Sequence, residues 1–229
     1  MSSYPHPIKA VIFDNDGTIL DSIPIYRKAN EKLIGQQYPK WFQQTVNGRN
    51  DYDVASRIIE HYKLNMTPEE YVSKRLQILE DDLENIELIP GIDEIIRTIK
   101  KMDIPMAVAT SSNRHTHELK IKKHKDIFDL FNVTVCGDEV KNAKPSPEIF
   151  QVASKMLGNF DPKNVLVFED AFLGIKAASE AGMPSVLNSD ENEYMEAEFQ
   201  KWKCYPTIRI HNYSEFDFNS LKWESPIPK

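Results

Sequence analysis

Apolar residues recur with two different periods along this chain, and the change of period divides it. Ala10–Phe13 is a short, unbroken apolar run that stops at Asp14-Asn15-Asp16 and turns on Gly17, the pattern of a buried strand. After Leu20 the spacing becomes helical. Tyr26, Ala29 and Leu33 share one face over residues 23–34, and Val54, Ala55, Ile58, Ile59 and Tyr62 do so over 51–64. Thr67-Pro68-Glu69-Glu70 has Thr at an N-cap, Pro in the first helical position and Glu two positions after it, a capping box. It opens a helix that carries Val72, Leu76, Leu79, Leu83 and Ile86. Three helices with no strand between them predict a small helical unit over 21–87.

Pro90-Gly91 closes that unit, and strand and helix patterns then alternate. Ile92, Ile95, Ile96 and Ile99 predict a helix, 106–109 a strand, and 114–128 a basic helix. A strand at 133–136, a helix at 147–157, a strand at 165–168 and a helix at 173–181 follow. Strands at 185–187 and 207–210 flank a last helix at 193–203. This order predicts an α/β fold: a mostly parallel, Rossmann-like sheet flanked by helices, formed by 1–20 and 88–229, with the helical unit inserted after the first strand.

Composition narrows the functions. A hydrophobic share of 41% in 229 residues is enough to bury a substantial core. The net charge of −7 argues against a nucleic-acid or anionic-membrane grip, although a local cation can still recruit an anionic substrate. Two cysteines, Cys136 and Cys204, stand far apart in no metal-type spacing, which fits a reducing compartment. With no secretory pattern at the start and no long apolar span, the expectation is a cytoplasmic protein.

In parallel sheets, ligands bind beyond the carboxyl ends of the strands. Three predicted strands end in polar groups: Asp14 and Asp16 after the first, Thr110-Ser111-Ser112 after 106–109, and Glu169-Asp170 after 165–168. Lys144 precedes the helix at 147–157. Gathered on one edge, these groups suit Mg2+ and a phosphate: hard oxygen ligands for the cation, Thr and Lys for phosphate oxygens. Each has a plainer reading alone. Asp-x-Asp-Gly is also a loop turn, a Ca2+ or Mn2+ site, or the Asp-x-Asp of glycosyltransferases. Glu169-Asp170 is also a solvated turn, Thr110 a helix cap, and Lys144 a surface lysine.

The segments FDNDGTILDS, VATSS, AKPSPEIF and VFEDAFLGIKAASEAGM resemble, in order and spacing, the four motifs of haloacid dehalogenase-like phosphatases. The helical insert resembles that family's small cap domain. Residues 104–131 and the fourth motif look most like members that hydrolyse nucleotide monophosphates such as pseudouridine 5′-phosphate. The resemblance implies Asp14 as the nucleophile that forms an aspartyl-phosphate, and Asp16 as the acid that protonates the leaving oxygen and then activates water. It implies Mg2+ held by Asp14, the backbone carbonyl of Asp16, and Asp170, with Glu169 as a further ligand or holder of a ligand water. It implies Thr110, Ser111 and Lys144 around the phosphoryl oxygens, and Arg49 and Asn50 of the cap as readers of the substrate. One departure is Ala143, where many members carry Gly before the lysine.

The expected activity is hydrolysis of a small phosphorylated metabolite by a monomer that needs no nucleic acid or membrane. Two alternatives stay open: a phosphosugar mutase using the same aspartyl-phosphate, and a non-catalytic binding protein on the same fold. Loss of the nucleophile or acid would mark the latter, and both Asp14 and Asp16 are present. His115, His117 and His124 lie on the basic helix without zinc-type spacing and are expected on a solvated face. Tyr26, Trp41 and Tyr52 can line a base or sugar pocket, or pack the cap against the core.

Overall fold

The computed structural model describes residues 4–190 and 193–225. Six parallel strands form the main sheet: β2 (Ala10–Phe13), β3 (Met106–Ala109), β4 (Val133–Val135), β5 (Val165–Glu169), β6 (Ser185–Asn188) and β7 (Ile208–Ile210), in the order β4-β3-β2-β5-β6-β7. β2 is therefore central, and the order reverses on either side of it, which is where ligands bind in such sheets.

Strand periodicity sorts the side chains into two cores. Val11 and Phe13 of β2, Met106 and Val108 of β3, and Leu166 and Phe168 of β5 face one side. They meet α5 (Ile92–Lys101) through Ile92, Ile95, Ile96 and Ile99, and Phe13 stacks on Phe168 with ring centres 4.7 Å apart. Ala10, Ile12, Ala107, Ala109, Val165 and Val167 face the other side, against Ile149, Phe150 and Ala153 of α8 (Glu148–Leu157) and Ala177 and Ala178 of α9 (Phe172–Glu180). Runs buried on both faces explain why the strands read as unbroken apolar segments.

The insert after β2 differs from the three-helix expectation. It holds four helices: α1 (Ile23–Ile34), α2 (Lys40–Val46), α3 (Asp51–Tyr62) and α4 (Pro68–Leu83). α2 is short and starts at Pro39 with no side-chain cap, so it carries neither a periodic stretch nor a start signal. Its Phe42 and Val46 join Tyr38, Val54, Ala55, Ile58 and Tyr71 in a separate apolar cluster. The capping box at Thr67 and Glu70 is present. Ala29, Leu79 and Leu83 pack into the first core cluster, so α1 and α4 seat the insert on the sheet.

Two other features depart from the expectation. The basic helix over 114–128 breaks into α6 (Arg114–Lys120), a 3-10 turn at Lys122–His124, and α7 (Lys125–Phe128). A short parallel pair, β1 (Pro7–Ile8) with β8 (Lys222–Trp223), ties the two ends of the described chain together. The last helix is α10 (Glu193–Trp202). No helix among the described residues is long and apolar enough to cross a membrane.

Candidate active site

Register places the site. Phe13 pairs with Phe168 on one side and with Val108 on the other, so the residues that follow, Asp14, Glu169 and Ala109-Thr110, emerge together. Lys144 arrives from the loop before α8 with a side chain that is fully buried. Its Nζ donates to Asp14 Oδ1 at 2.6 Å, Glu169 Oε1 at 2.8 Å and the Ala109 carbonyl at 3.3 Å. Glu169 also accepts the backbone N–H groups of Asp170 and Ala171, each at 3.0 Å. Two glycines make room. A Cβ on Gly174 would stand 1.7 Å from Glu169 Oε1. Gly17 has φ +85°, and a Cβ there would stand 2.3 Å from Asp170 Oδ2, so neither backbone nor space admits a side chain.

This cluster is short of positive charge. Carboxylate oxygens of Asp14, Glu169 and Asp170 lie within 4.8 Å of one another, and one lysine serves them. Burial raises the Asp14 pKa, the Lys144 charge opposes this, Glu169 and Asp16 add to it, and the result is about 7. Burial, then Glu169 and Asp14, push Asp170 well above the usual carboxylate range. Burial works against a charged Lys144, but Asp14 and Glu169 outweigh it and hold the ammonium on. Crowded hard oxygens with too little charge to balance them are a good fit for a small divalent cation.

Asp16 points away from this cluster. Its carboxylate accepts from Ser22 Oγ at 2.6 Å, Lys120 Nζ at 2.6 Å, Ser112 Oγ at 3.0 Å and Thr110 Oγ1 at 3.4 Å. Burial alone would raise its pKa, but Lys120 and the hydroxyl donors outweigh burial and hold Asp16 below the usual value. The two aspartates therefore share one site in opposite electrostatic surroundings. Ser22 stands at the N-cap of α1 yet spends its hydroxyl on Asp16 rather than on the helix.

A family model described as haloacid dehalogenase-like hydrolase matches residues 8–182. The chain belongs to the haloacid dehalogenase-like hydrolase family. It is 38% identical over 186 residues to a probable pseudouridine-5′-phosphatase of Drosophila melanogaster, covering 78% of this chain and 80% of that one. It is 32% identical over 192 residues to (DL)-glycerol-3-phosphatase 2 of Arabidopsis thaliana, covering 80% of each. Its fold matches the β-phosphoglucomutase of Clostridium difficile with a TM-score of 0.75 at 23% identity, over 93% of this chain and 94% of that one.

In this phosphatase the sequence-named residues meet unevenly. Asp14, Asp16, Thr110, Lys144, Glu169 and Asp170 converge, whereas Ser111 turns its hydroxyl to the Gly48 carbonyl at 3.0 Å, a bond between sheet and insert. A cleft opens over Asp14 and Asp16, lined by Tyr26, Arg49, Asp51, Arg75 and Lys120 among others. Arg49 is half-buried there, with Nε bonded to the Thr45 carbonyl at 2.8 Å. Asn50 does not line the cleft; its side chain caps α3 through Asp53 N–H at 2.9 Å. Of the aromatics, Tyr26 lines the cleft, while Trp41 and Tyr52 are exposed and do neither job expected of them. Ala143 does not adopt positive φ, so the loop does not need the glycine it lacks.

Sequence reasoning missed Lys120 and Ser22 as partners of Asp16, and named Ser112 only within the hydroxyl group that ends β3. Thr116, His117 and Lys120 form the buried face of α6, a spacing of four and three residues. Lys120 opens a lysine-rich stretch of the basic helix, residues 120–125, and reads there as one more solvated lysine. His117 is likewise not solvated as expected. It is buried against the edge of the Phe128 ring, and burial, then Lys120, lower its pKa to about 4. His115 is exposed and His124 is half-buried with its ring bonded to the Ile86 carbonyl, so the three histidines form no cluster.

Proposed function

We propose that this phosphatase hydrolyses a small phosphomonoester through covalent transfer to Asp14, in a site formed between the sheet edge and the helical insert over 21–87 acting as a cap. One Asp14 oxygen attacks phosphorus as the bond to the leaving oxygen breaks, and Asp16 gives that oxygen its proton. Water then attacks the aspartyl-phosphate, Asp16 takes the proton, and inorganic phosphate leaves with Asp14 restored. The observation that carries this reading is geometric: Asp14 and Asp16 open onto one cleft at the sheet edge, Asp14 beside Lys144, Glu169 and Asp170 and Asp16 beside Lys120. A dianionic phosphate beside Asp16 pushes against its ionised form, so the proton is taken up as substrate binds.

Thr110 and Lys144 stand where they can hold phosphoryl oxygens. Ser111 contributes its backbone, since its hydroxyl is engaged with Gly48. Mg2+ fits the oxygens of Asp14 and Asp170, with Glu169 holding Lys144 and the Asp170 backbone in place and the Asp16 carbonyl as a further donor. The cation supplies charge neutralisation at the phosphoryl group. We assign Arg49, which lines the cleft from the cap, to reading the leaving group. The relatives' names, which carry a nucleoside phosphate and a glycerol phosphate, support a nucleotide or sugar-type substrate. The test is phosphate release from p-nitrophenyl phosphate, pseudouridine 5′-phosphate, other nucleoside monophosphates and hexose phosphates with Mg2+. Absence of release from every one of them overturns the reading. Conversion of glucose 1-phosphate to glucose 6-phosphate in place of release would instead favour the mutase.

Burial and its acidic neighbours raise the Asp14 pKa to about 7, so below that pH the metal-free protein should carry a proton there. A cation must displace that proton, so Mg2+ binding should release protons and weaken as pH falls through 7. Calorimetry in buffers of different ionisation enthalpy measures this; no proton release at pH 6 would contradict it. EDTA should abolish turnover and Mg2+ restore it.

Lys120→Met should lower kcat about 10- to 100-fold on alkyl phosphates, because Asp16 loses its ion pair and drifts from position. p-Nitrophenyl phosphate should suffer less, since its leaving oxygen departs without a proton. Equal loss on both would assign Lys120 a purely structural role.

A further inference from the structure

The cleft over Asp14 and Asp16 continues onto the insert, where a buried ion pair has no part in the chemistry above. Arg75 of α4 is fully buried and bonded to Asp51 at the start of α3. Its guanidinium lies over the rings of Tyr26 and Tyr71, 5.3 and 5.9 Å from their centres. Asp51 also receives Asn113 Nδ2, from the N-cap of α6, at 3.4 Å. Both Arg75 and Asp51 line the cleft. A guanidinium has five N–H groups, and the bond to Asp51 occupies one.

The charges that line the cleft balance. Three carboxylates, Asp14, Asp16 and Asp51, stand with three cations, Arg49, Arg75 and Lys120. Lys120 is answered by Asp16 and Arg75 by Asp51, while Arg49 has both Arg57 and Asp53 of α3 nearby. The rest of the insert's wall is neutral and prearranged. Tyr71 donates to Asn30 Oδ1 at 2.9 Å, and Gln43 donates to Asn47 Oδ1 at 2.5 Å; Asn30, Gln43 and Asn47 all line the cleft. Amides fixed in this way offer donors and acceptors to hydroxyl and carbonyl groups. An extra anion would have to compete with Asp51 for Arg75 in a water-poor space, at a cost in desolvation and repulsion.

We infer that the Arg75–Asp51 pair is a specificity device: it keeps the leaving-group wall charge-balanced, so the enzyme selects phosphomonoesters with uncharged, hydroxyl- and carbonyl-bearing leaving groups and rejects those with a second anion. This rests on the phosphatase reading above and names its substrate class. Asp51 is the discriminating group, because without its charge Arg75 becomes an anion receptor.

Two matched substrate pairs test this. Glycerol 3-phosphate and 3-phosphoglycerate differ by a hydroxymethyl against a carboxylate. Uridine and orotidine 5′-phosphates differ by a carboxylate on the base. The wild-type enzyme with Mg2+ should prefer the neutral member of each pair about tenfold or more in kcat/KM. Asp51→Asn should cut that preference by about tenfold or reverse it, each ratio being read against the same variant's own rate on p-nitrophenyl phosphate, which lacks the second anion. Asp51→Asn/Arg75→Met removes both charges and should return the preference toward wild type. Where Asp51→Asn fails to fold, the wild-type ratios and the double variant still decide. Equal or reversed wild-type ratios, or an unchanged ratio in Asp51→Asn, overturn the inference and leave the phosphatase reading standing. No hydrolysis of any substrate, p-nitrophenyl phosphate included, overturns both.

Discussion

Asp14→Asn should yield a folded protein whose turnover is lower by a factor on the order of 10³ or more for every substrate. The exchange is nearly isosteric, but an amide oxygen does not displace an alkoxide from phosphorus. The change is also gentle on the fold. Asp14 is the carboxylate that burial and its acidic neighbours push up to about 7, so its negative charge is not what holds the strand end together. Lys144 keeps Glu169 at 2.8 Å and the Ala109 carbonyl at 3.3 Å when Asp14 is neutral. The metal-free variant should therefore melt within a few degrees of wild type, while its Mg2+ affinity falls with the lost ligand charge. Single-turnover reaction with phosphorus-labelled substrate should label wild-type protein and leave the variant unlabelled. Retention of a tenth of the wild-type rate would remove Asp14 from the role of nucleophile.

The parts legible in the sequence are those in which one residue type answers one local need. β2, β3 and β5 read as apolar runs because both faces are buried, and the acids and hydroxyls that end them read as a site because parallel register must align them. Thr67 and Glu70 read as a helix start because the capping box is contained in four residues. What escaped depends on contacts distant in sequence. α2 forms because Phe42 and Val46 find Tyr71 and Ile58, not because of its own pattern. Lys120 is buried because Asp16, 104 residues away, answers its charge and Tyr26 covers it, 4.7 Å from the ring centre. The family resemblance makes Asn50, like Arg49, a reader of the substrate, but its side chain caps the N-terminus of α3. Neither a lysine at the end of a helix nor an asparagine just before one carries a local mark of which demand it will meet.

Lys144→Met should be the more damaging change of the two, because it strikes stability and chemistry together. The methionine side chain fits the volume and the contact with Phe150, whose ring centre lies 4.8 Å from Nζ. It cannot answer the charge. Asp14, Glu169 and Asp170 would then stand within 4.8 Å of one another with no cation from the protein. Leaving one side of a buried ion pair unpaired typically costs about 3–5 kcal/mol. Part of that cost is avoided if Asp14 and Asp170, already pushed upward, take up protons. The sign of the pH dependence follows. Raised carboxyl pKa values mean the folded state binds protons more tightly than the unfolded state. The metal-free variant should therefore lose stability as pH rises from about 5 toward 8, more steeply than wild type. Mg2+ should recover part of the loss, since it supplies charge at the same oxygens. Turnover should stay low with Mg2+ restored, by about 10²–10³, and by a similar factor on all substrates, because every substrate presents the same phosphoryl group. Thermal melts across pH with and without Mg2+, beside kcat/KM on the panel, separate the two effects. A loss confined to some substrates would place Lys144 at the leaving group instead. An unchanged melting curve at pH 8 would mean that the three carboxylates never depended on the lysine for their charge balance.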